Sequence, residues 1–523
     1  MNVTNEATAL LQLAYDLWTA RSEFRRDRRR NKRYTYGRQW EDPVTVDGRV
    51  MTEAQYIQSF GNVPLTNNLI RRLVRSVLGV FRSRGRQPVC HSLLEADRCR
   101  AELLTKLLHT NAHTNRLDEL YARSMEEFLI SGCVVHRKWY GRRAGHIGCW
   151  TDSVDPESFF MDVSATDCRA WDMRAVGQLH DLPLEDIVAA FATDYTSEAR
   201  LRDIYAGCTG DSWYMAQWGA GDTEKAFLSP SSPSLCRVIE VWRRENDTYW
   251  LCHDTDTGEC RRIECEDYES IMTENRRRVR EGRGTLDCRR VNTHRWRYYY
   301  LSPNGVVLTS GDSPYRRFGH PYVVKAYPYI DGEVHSFVAD IIDQQRYTNC
   351  LVTLNDWMMR ASAKGVLLFP EDALGRGMSL EDVADQWSRF NGVIPYRPRP
   401  GVPLPQQVSG SVGNLGITEL LSVQMKMLED ISGVNAALQG RLDSGSVSGT
   451  LFSQQTQNSL TSLLDILESF DTFVLDAACR DAENICCFGV PTVPGSDTIG
   501  DGYFDNFSYD IHFQNPLPCH EEK

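Results

Sequence analysis

The stretch GVNAALQGRLDSGSVSGT, residues 433–450, has the glycine and serine content of a loop that could cradle phosphate. A phosphate-gripping P-loop follows a strand and reads G-x-x-x-x-G-K-[ST], because its lysine must reach the β and γ phosphates. This loop follows a predicted helix and contains no lysine. Acidic side chains also outnumber basic ones around it, the opposite of a phosphate-binding surface. The pattern excludes a Walker-type nucleotide site and predicts a pliable, small-residue loop between two helices.

A cysteine and histidine group could hold zinc. Its members are Cys252, His253, Cys260 and Cys265. Zinc sites usually pair one C-x-x-C with a second pair at fixed spacing, and this segment has no such arrangement. The run YWLCHDTDTGECRRIECE alternates instead like two strands that turn at Asp256-Thr257-Gly258. The hairpin interpretation is favoured, and no metal site is expected.

Three carboxylates, Asp152, Asp155 and Asp162, could gather around magnesium, as two-metal phosphoryl chemistry requires. A nuclease or nucleotidyl transferase therefore stands as a remote alternative. Acids beside turns are more often caps and turn formers. We do not expect an enzyme.

Two arginine-rich segments form candidate contacts with DNA or with a neighbouring subunit. Arginines can grip phosphates, pair with acidic surfaces of other chains, or lie on solvated helix faces. The sequence leaves these alternatives open. The candidates are Arg28, Arg29 and Arg30 in the first segment and Arg71, Arg72 and Arg75 in the second.

Composition limits the class of protein. The 523 residues are 41% hydrophobic and 24% charged, which predicts a folded protein of about two to four domains. No apolar run is long enough to span a membrane, and no secretion signal opens the chain. The sixteen cysteines are therefore expected to be reduced in a cytoplasm. The net charge of −12 argues against a simple nucleic-acid-coating protein.

The elements that must position these residues follow a definite order. Helical patterns are predicted over 7–33, 66–84 and 92–131, and alternating, strand-like runs begin at residue 132. A long helix over 332–363 has an unusually polar middle, which suggests packing around something wet. A small module follows, with Ser379 predicted to cap a short helix over 381–390. Helices over 416–434 and 450–485 flank the glycine and serine loop.

This order resembles the portal proteins of tailed bacteriophages, in particular those of short-tailed phages. The resemblance covers the chain to about residue 515 and rests on several segments together. One pair is RRNKRYTYGRQWED followed by VPLTNNLIRRLVRSVLGVFRSRGRQPV. Another is VDPESFFMDVSATD followed by WDMRAVGQLHDLPLEDIVAAF. The third feature that carries the resemblance is the order of elements: long helix, small module, helix, loop and long helix.

The resemblance implies an α+β portal fold with an α/β wing, a long helical stem, a small α/β clip and a crown that is small or absent. The implied divisions are 1–331 wing, 332–363 first stem helix, 364–412 clip, 413–434 second stem helix, 435–449 tunnel loop, 450–515 wing helix with closing strand, and 516–523 tail.

The resemblance further implies a ring, of twelve subunits in such proteins, at one capsid vertex, through which DNA is packaged and ejected. Its partners would be terminase, tail or adaptor proteins at the clip, and capsid and scaffold proteins, with no cofactor, no metal and no membrane. The protein would be in the virion, and in the host cytoplasm during assembly. A ring-forming tail adaptor or another structural virion protein is the main alternative.

The tunnel loop is the implied DNA-facing site. A channel must let the duplex slide, and each lysine or arginine on a phosphate would add affinity that slows it. The candidate residues are Gln439, Arg441, Ser444, Ser446 and Ser448. Arg441 is the loop cation placed either to touch the DNA backbone or to pair with a neighbouring subunit.

Overall fold

The computed structural model describes most of the chain. The described residues are 3–85, 87–143, 145–206, 222–264, 268–364, 366–375, 377–388, 393–398, 400–408, 416–435, 438–439, 457–458, 460–488 and 509–513. The chain folds into two compact units. The first unit takes residues 1–29, 78–337 and 463–523, and the second takes residues 30–77 and 338–462.

The helices, labelled in chain order, are α1 Val3–Ala20, α2 Ser22–Thr35, α3 Glu53–Ser59, α4 Leu69–Ser83, α5 Arg98–Thr114, α6 Leu117–Ser131, α7 Leu184–Phe191, α8 Tyr195–Ala206, α9 Asp222–Leu228, α10 Tyr268–Arg280, α11 Phe337–Lys364, α12 Leu380–Ser388, α13 Ile417–Ser432 and α14 Leu464–Phe488. The strands are β1 Pro43–Val46, β2 Arg49–Thr52, β3 Pro88–Ser92, β4 Cys133–Arg143, β5 His146–Val154, β6 Phe159–Met161, β7 Ala175–Leu182, β8 Cys236–Asp254, β9 Cys260–Glu264, β10 Leu286–Leu301, β11 Val307–Asp312, β12 Tyr322–Ala326, β13 Pro328–Ile330, β14 Glu333–Val334, β15 Val366–Leu368, β16 Gln406–Val408 and β17 Tyr509–Phe513.

The first unit contains the larger sheets. A six-stranded sheet runs β11-β10-β8-β7-β6, with β9 paired to β8, and a three-stranded sheet runs β12-β4-β5. Strand β17 pairs with β3. Every strand pair in the described residues is antiparallel. Antiparallel sheets packed with helices confirm the predicted α+β class.

Several predicted helices break where the backbone turns. The prediction over 7–33 becomes α1 and α2, which meet at Arg21. The prediction over 92–131 becomes α5 and α6, because Arg116 takes a left-handed conformation with φ of 50°. The long helix begins at Phe337 rather than at residue 332, since Glu333–Val334 pairs with Pro328–Ile330 as a short hairpin.

Helix α14 lies at the centre of the first unit. Phe470, Phe473 and Ala477 are fully buried on it. Four of its charged residues, Asp471, Arg480, Asp481 and Glu483, are buried as well, and each has a hydrogen-bond partner. Arg84 bonds Asp471 at 3.1 Å, Lys138 bonds Asp481 at 2.7 Å, and the backbone N–H of Arg317 donates to Glu483 at 2.6 Å. The helix is therefore held by polar contacts as well as by apolar packing.

We expect Asp481→Ala to lower the free energy of unfolding of the first unit by about 3–5 kcal/mol, because it leaves the Lys138 ammonium buried without a counter-charge. The side chain of Lys138 is only 1% exposed. Urea unfolding followed by fluorescence measures the change.

The control is Glu102→Ala, which breaks the exposed Arg98–Glu102 pair and should cost less than about 1 kcal/mol. The double variant Lys138→Met with Asp481→Leu should recover much of the lost stability, since it removes both charges. If Asp481→Ala and Glu102→Ala lowered the free energy of unfolding equally, the buried pair would contribute no more to stability than the exposed pair.

Candidate functional site

A polar row on α11 organises the second unit. Gln345, Asn349 and Thr353 stand four residues apart, so they share one helix face, and all three are buried. The backbone N–H groups of Leu69, Asn67 and Leu65 donate to these side chains, in that order, at 2.8, 3.0 and 3.1 Å. Three side chains at four-residue intervals on α11 thus each accept a hydrogen bond from one backbone N–H of the segment that leads into α4.

Gln345 makes more hydrogen bonds than the other two residues. Its Oε1 accepts from the backbone of Leu69 and also from that of Ile70 at 3.2 Å, and its Nε2 donates to the carbonyl of Asn67 at 2.6 Å. The side chain of Asn68 caps the start of α4 by accepting from the backbone of Arg71 at 3.1 Å. The polar middle of α11 was expected to pack around something wet. The expectation was wrong for Gln345 and Asn349, because buried side chains there satisfy the backbone of the same chain.

The first arginine group forms ion pairs within the chain. Arg28 is buried and bonds Glu127 at 2.7 Å, Glu157 at 2.6 Å and Asp155 at 3.0 Å. Arg29 bonds Glu157 at 3.1 Å. Within the second unit, Arg30 bonds Asp42 at 2.9 Å. Because burial and three carboxylates already occupy the Arg28 guanidinium, little of it remains for phosphate.

One residue of the second arginine group contacts a candidate residue of the predicted tunnel loop. Arg72 donates to the side-chain oxygen of Gln439, and Gln439 Nε2 donates to the carbonyl of Val434 at 3.1 Å. The guanidinium of Arg71 lies over the ring of Tyr36 at 4.8 Å. Arg75 is exposed, and it has no ion pair within the described ranges. The structure therefore joins two predicted sites, since Arg72 ties down Gln439 where the loop begins.

The remaining candidates of the loop, Arg441, Ser444, Ser446 and Ser448, lie outside the described residues.

The cysteine and histidine group forms the hairpin expected from its alternation. Strands β8 and β9 pair so that His253 faces Cys260 and Cys252 faces Arg261, and Gly258 turns the chain with φ of 72°. Burial, together with the neighbouring Cys288, raises the pKa of the Cys252 thiol to about 12. A metal ligand must be a thiolate, so this thiol is a poor one. Cys265 lies outside the described residues.

The three carboxylates proposed for magnesium each have other partners. Asp152 accepts from Arg143 at 2.7 Å and from the indole of Trp139 at 2.8 Å. Asp155 pairs with Arg28, and Asp162 accepts from the backbone of Ser164 at 3.0 Å, as a turn former does. Across the described ranges, no three side chains of the metal-binding types come together.

Helix α13 carries an apolar stripe that sequence patterning missed. From its helical spacing, the sequence predicts a single apolar face made of Ile417, Leu420, Leu421, Leu428 and Ile431. Ile417 and Leu428 are buried, whereas Leu420 and Ile431 are exposed. The exposed pair continues a second stripe at 3 and 4 spacing, formed by Leu420, Val423, Met427 and Ile431, whose exposed fractions lie between 43% and 48%. Reading the helix for a second apolar period would have found it.

Helix α11 has a similar exposed edge. Tyr347 and Leu354, seven residues apart, are both more than 40% exposed, with the exposed Cys350 between them. Contiguous exposed apolar side chains of this kind mark interaction surfaces on soluble proteins. Among the described helices, none has the length and apolar character needed to cross a bilayer.

Charged groups that pair within the chain, together with exposed apolar edges on long helices, are typical of proteins that contact other chains. A family model described as phage P22-like portal protein matches residues 12–477. The matched range is well over half of the chain, so the chain belongs to the P22-like portal protein family. This finding confirms the resemblance to short-tailed-phage portals, and the family is structural rather than enzymatic. No curated protein matches the sequence.

We expect Gln345→Leu to lower the free energy of unfolding of the second unit by about 3 kcal/mol or more. The substitution keeps the volume but removes three hydrogen bonds to the segment, each worth about 0.5–1.5 kcal/mol. It also leaves the N–H of the buried Ile70 without its acceptor, which costs about 1–3 kcal/mol, whereas the N–H of Leu69 still donates to the carbonyl of Asn67 at 2.9 Å. Denaturant unfolding measures the loss, and amide hydrogen exchange at Leu69 and Ile70 locates it.

The half-buried neighbour provides the matched control. Gln344→Leu should change stability by less than about 0.5 kcal/mol, as surface substitutions usually do. Unchanged exchange at Leu69 and Ile70 in Gln345→Leu would show that the segment is held by other contacts.

Proposed function

We propose that this protein forms the portal ring at one capsid vertex, the channel through which double-stranded DNA enters during packaging and leaves during ejection. The observation that carries the proposal is the family match over residues 12–477. The order of elements along the chain, with the long helix α11 and helix α13 on either side of the small strand pair of β15 and β16, agrees with it.

We assign residues 1–331 and 450–515 to the wing, 332–363 and 413–434 to the two stem helices, 364–412 to the clip and 435–449 to the tunnel loop. The observed helices Phe337–Lys364 and Ile417–Ser432 agree with the stem assignment to within about five residues at each end. The wing assignment draws support from β17, which pairs with β3 as a closing strand would.

The ring is proposed to form through the exposed apolar stripes. Each methylene group moved from water to an interface is worth about 0.8 kcal/mol, so four half-exposed side chains on α13 supply a substantial driving force in every subunit contact. A heterologous contact repeated around an axis closes into a ring when its rotation closes. Twelve subunits is the number that the portal resemblance suggests.

The clip is proposed to receive tail or adaptor proteins. Its strands Val366–Leu368 and Gln406–Val408 pair as a two-stranded sheet, and Ser379 caps α12 as predicted, its hydroxyl accepting from the backbone of Asp382 at 3.1 Å. Val393 and Leu404 are strongly exposed there. So small a module has little core of its own, and such side chains suit contacts with other chains.

The channel is proposed to be lined sparsely with cations. On α13, the arc away from both apolar stripes carries Glu419, Lys426 and Asp430, which favours weak contact with a phosphate backbone. The Arg72–Gln439 contact anchors one end of the loop, and the serines and Arg441 beyond it are assigned to the DNA-facing side. Terminase would supply the motor, and capsid and scaffold proteins would surround the ring.

We expect Val423→Asp combined with Met427→Asp to abolish ring formation, because it places two carboxylates in an apolar contact. Negative-stain electron microscopy and mass by light scattering should give rings of about a dozen subunits for the natural sequence. The double variant should give smaller species.

Val279→Asp is the matched control. Val279 is also an exposed apolar residue on a helix, α10 of the first unit, and it lies outside the proposed stem. Rings that persist in the double variant would remove the stripe from the proposed contact. A stable small species of the natural sequence that cuts DNA with magnesium would contradict the portal function itself.

We expect Ser444→Lys combined with Ser446→Lys to slow DNA packaging several-fold at about 0.05 M salt and to have little effect at about 0.2 M, because added phosphate contacts weaken steeply with salt. A packaging assay with terminase and empty capsids measures the rate. The serine-to-alanine pair at the same positions should package normally. A lysine variant that packages at the natural rate in low salt would place the loop away from DNA.

A further inference from the structure

The first unit contains a basic cavity of about 730 Å³ that the portal function does not explain. It is bounded by the segment 313–320, by strand β10 and by helix α14. Seven arginines and one carboxylate, Asp476, line its described part. In a chain of net charge −12, such a concentration of positive charge needs an explanation.

Three of these arginines have carboxylate partners nearby. Arg169 bonds Asp167 at 3.0 Å, Arg262 bonds Asp247 at 2.6 Å, and Arg295 bonds Asp312 at 3.1 Å. The other four have no ion pair within the described ranges. They are Arg244, Arg316, Arg317 and Arg480.

Arg480, on helix α14, is a buried arginine of the lining. Its side chain is mostly buried, and its guanidinium donates to the carbonyls of His320 and Tyr322 at 2.9 and 3.3 Å and lies over the ring of Phe318 at 3.7 Å. Burial lowers the pKa of Arg480 to about 9, which Glu483 and Asp476 offset only in part. A buried guanidinium bonded to neutral carbonyls would be stabilised by an anion.

The imidazole of His320 lies beside Arg480 in the lining. The residue is 5% exposed and lines the cavity, and its Nδ1 has no hydrogen-bond partner among the described atoms. Burial and the neighbouring Arg480 lower the pKa of this imidazole, so the ring is neutral at pH 7. A neutral imidazole adds no charge, so the positive charge of the cavity comes from its arginines.

Aromatic rings complete the lining. Trp171 is 64% exposed at the cavity, and Trp296 and Tyr315 lie deeper. Gly319, with φ of 78°, allows Trp296 its position, since a Cβ there would come within 2.0 Å of the indole. Exposed aromatic faces beside guanidinium groups are the pattern that binds stacked bases together with their phosphates.

We propose that this cavity binds a nucleotide phosphate, with the phosphates on Arg316, Arg317 and Arg480 and the base stacked on Trp171. A triphosphate concentrates about four negative charges in one small group, which suits a cluster of guanidinium groups that have no ion pair within the described ranges. An acidic peptide would need several carboxylates and their backbone within the same volume. Ligand sites of a few hundred to a thousand cubic ångströms are typical for molecules of nucleotide size.

The proposal concerns binding alone, and no bond is made or broken. It does not rest on ring formation, because every lining residue belongs to the first unit. The nucleotide could be free or could be part of a single-stranded nucleic acid, and the experiment distinguishes these sources.

The test is isothermal titration calorimetry of the full chain with ATP in the presence of a chelator, with a ten-nucleotide thymidine strand, with tripolyphosphate and with hexaglutamate. We expect ATP or the strand to bind, and the tighter of the two identifies the source. Arg316→Ala combined with Arg317→Ala should weaken that binding at least thirty-fold, and Trp171→Ala at least five-fold. Tripolyphosphate binding should respond to the arginine pair and not to Trp171→Ala.

Arg289→Ala combined with Arg290→Ala is the matched control, since these exposed arginines lie on β10 outside the lining. This variant should bind as the natural sequence does. Both arginine variants should keep the natural unfolding midpoint, because the residues replaced are exposed and lack ion pairs within the described ranges. Tighter binding of hexaglutamate, equal losses in both arginine variants, or no binding of any nucleotide at millimolar concentration would overturn the proposal.

Discussion

Helix α14 buries four charged residues, Asp471, Arg480, Asp481 and Glu483, and the packing of the first unit around it must satisfy them. An uncompensated charge in a protein interior costs several kcal/mol, so each of these four residues needs a partner at the right position. Strand β4 supplies Lys138, the residues just after α4 supply Arg84, and the segment before β12 supplies the backbone of Arg317 and carbonyls. These contacts fix how the three-stranded sheet and its neighbours pack on the helix. Apolar packing alone would allow several arrangements, whereas paired charges favour one.

The second unit solves a related problem with neutral groups. An extended segment has backbone N–H and carbonyl groups that no helix or sheet satisfies. The row of Gln345, Asn349 and Thr353 meets them at helical spacing, so the segment follows α11 in a defined register. In both units, polar residues that might suggest chemistry serve to hold the chain.

Arginine illustrates how one residue type divides between these tasks. Arg28 is enclosed by carboxylates, Arg72 bonds the side chain of Gln439, and Arg480 lies buried beside a cavity, where its guanidinium bonds backbone carbonyls. The same functional group therefore has three roles in this protein: it forms ion pairs, it bonds a neutral side chain, or it offers a potential site for an anion. The three arginines differ in the number of acidic side chains that the fold places near them. An arginine with few acidic neighbours keeps its positive charge, because a guanidinium loses its proton less readily than the ammonium of lysine.

Local features of the fold were predictable from the sequence because their causes lie within a few residues. The turn at Gly258, the cap at Ser379 and the approximate extents of α11 and α13 follow from spacing and residue type. The lack of a Walker lysine could also be read directly, as could the portal family, since a family is carried by the order of many weak signals. For the candidate site, the sequence named Arg72 and Gln439 separately but not their contact, which joins residues 367 positions apart.

Only the tertiary structure decided which side chains meet. Gln345 and Leu69 are 276 residues apart, and Lys138 and Asp481 are 343 apart. No local pattern distinguishes a polar residue that will bond a distant backbone from one that will face water. For the same reason the sequence could not separate the two apolar stripes of α13, because both have helical spacing and only packing buries one of them. The basic cavity likewise draws its residues from strands, loops and α14, so its charge imbalance exists only after folding.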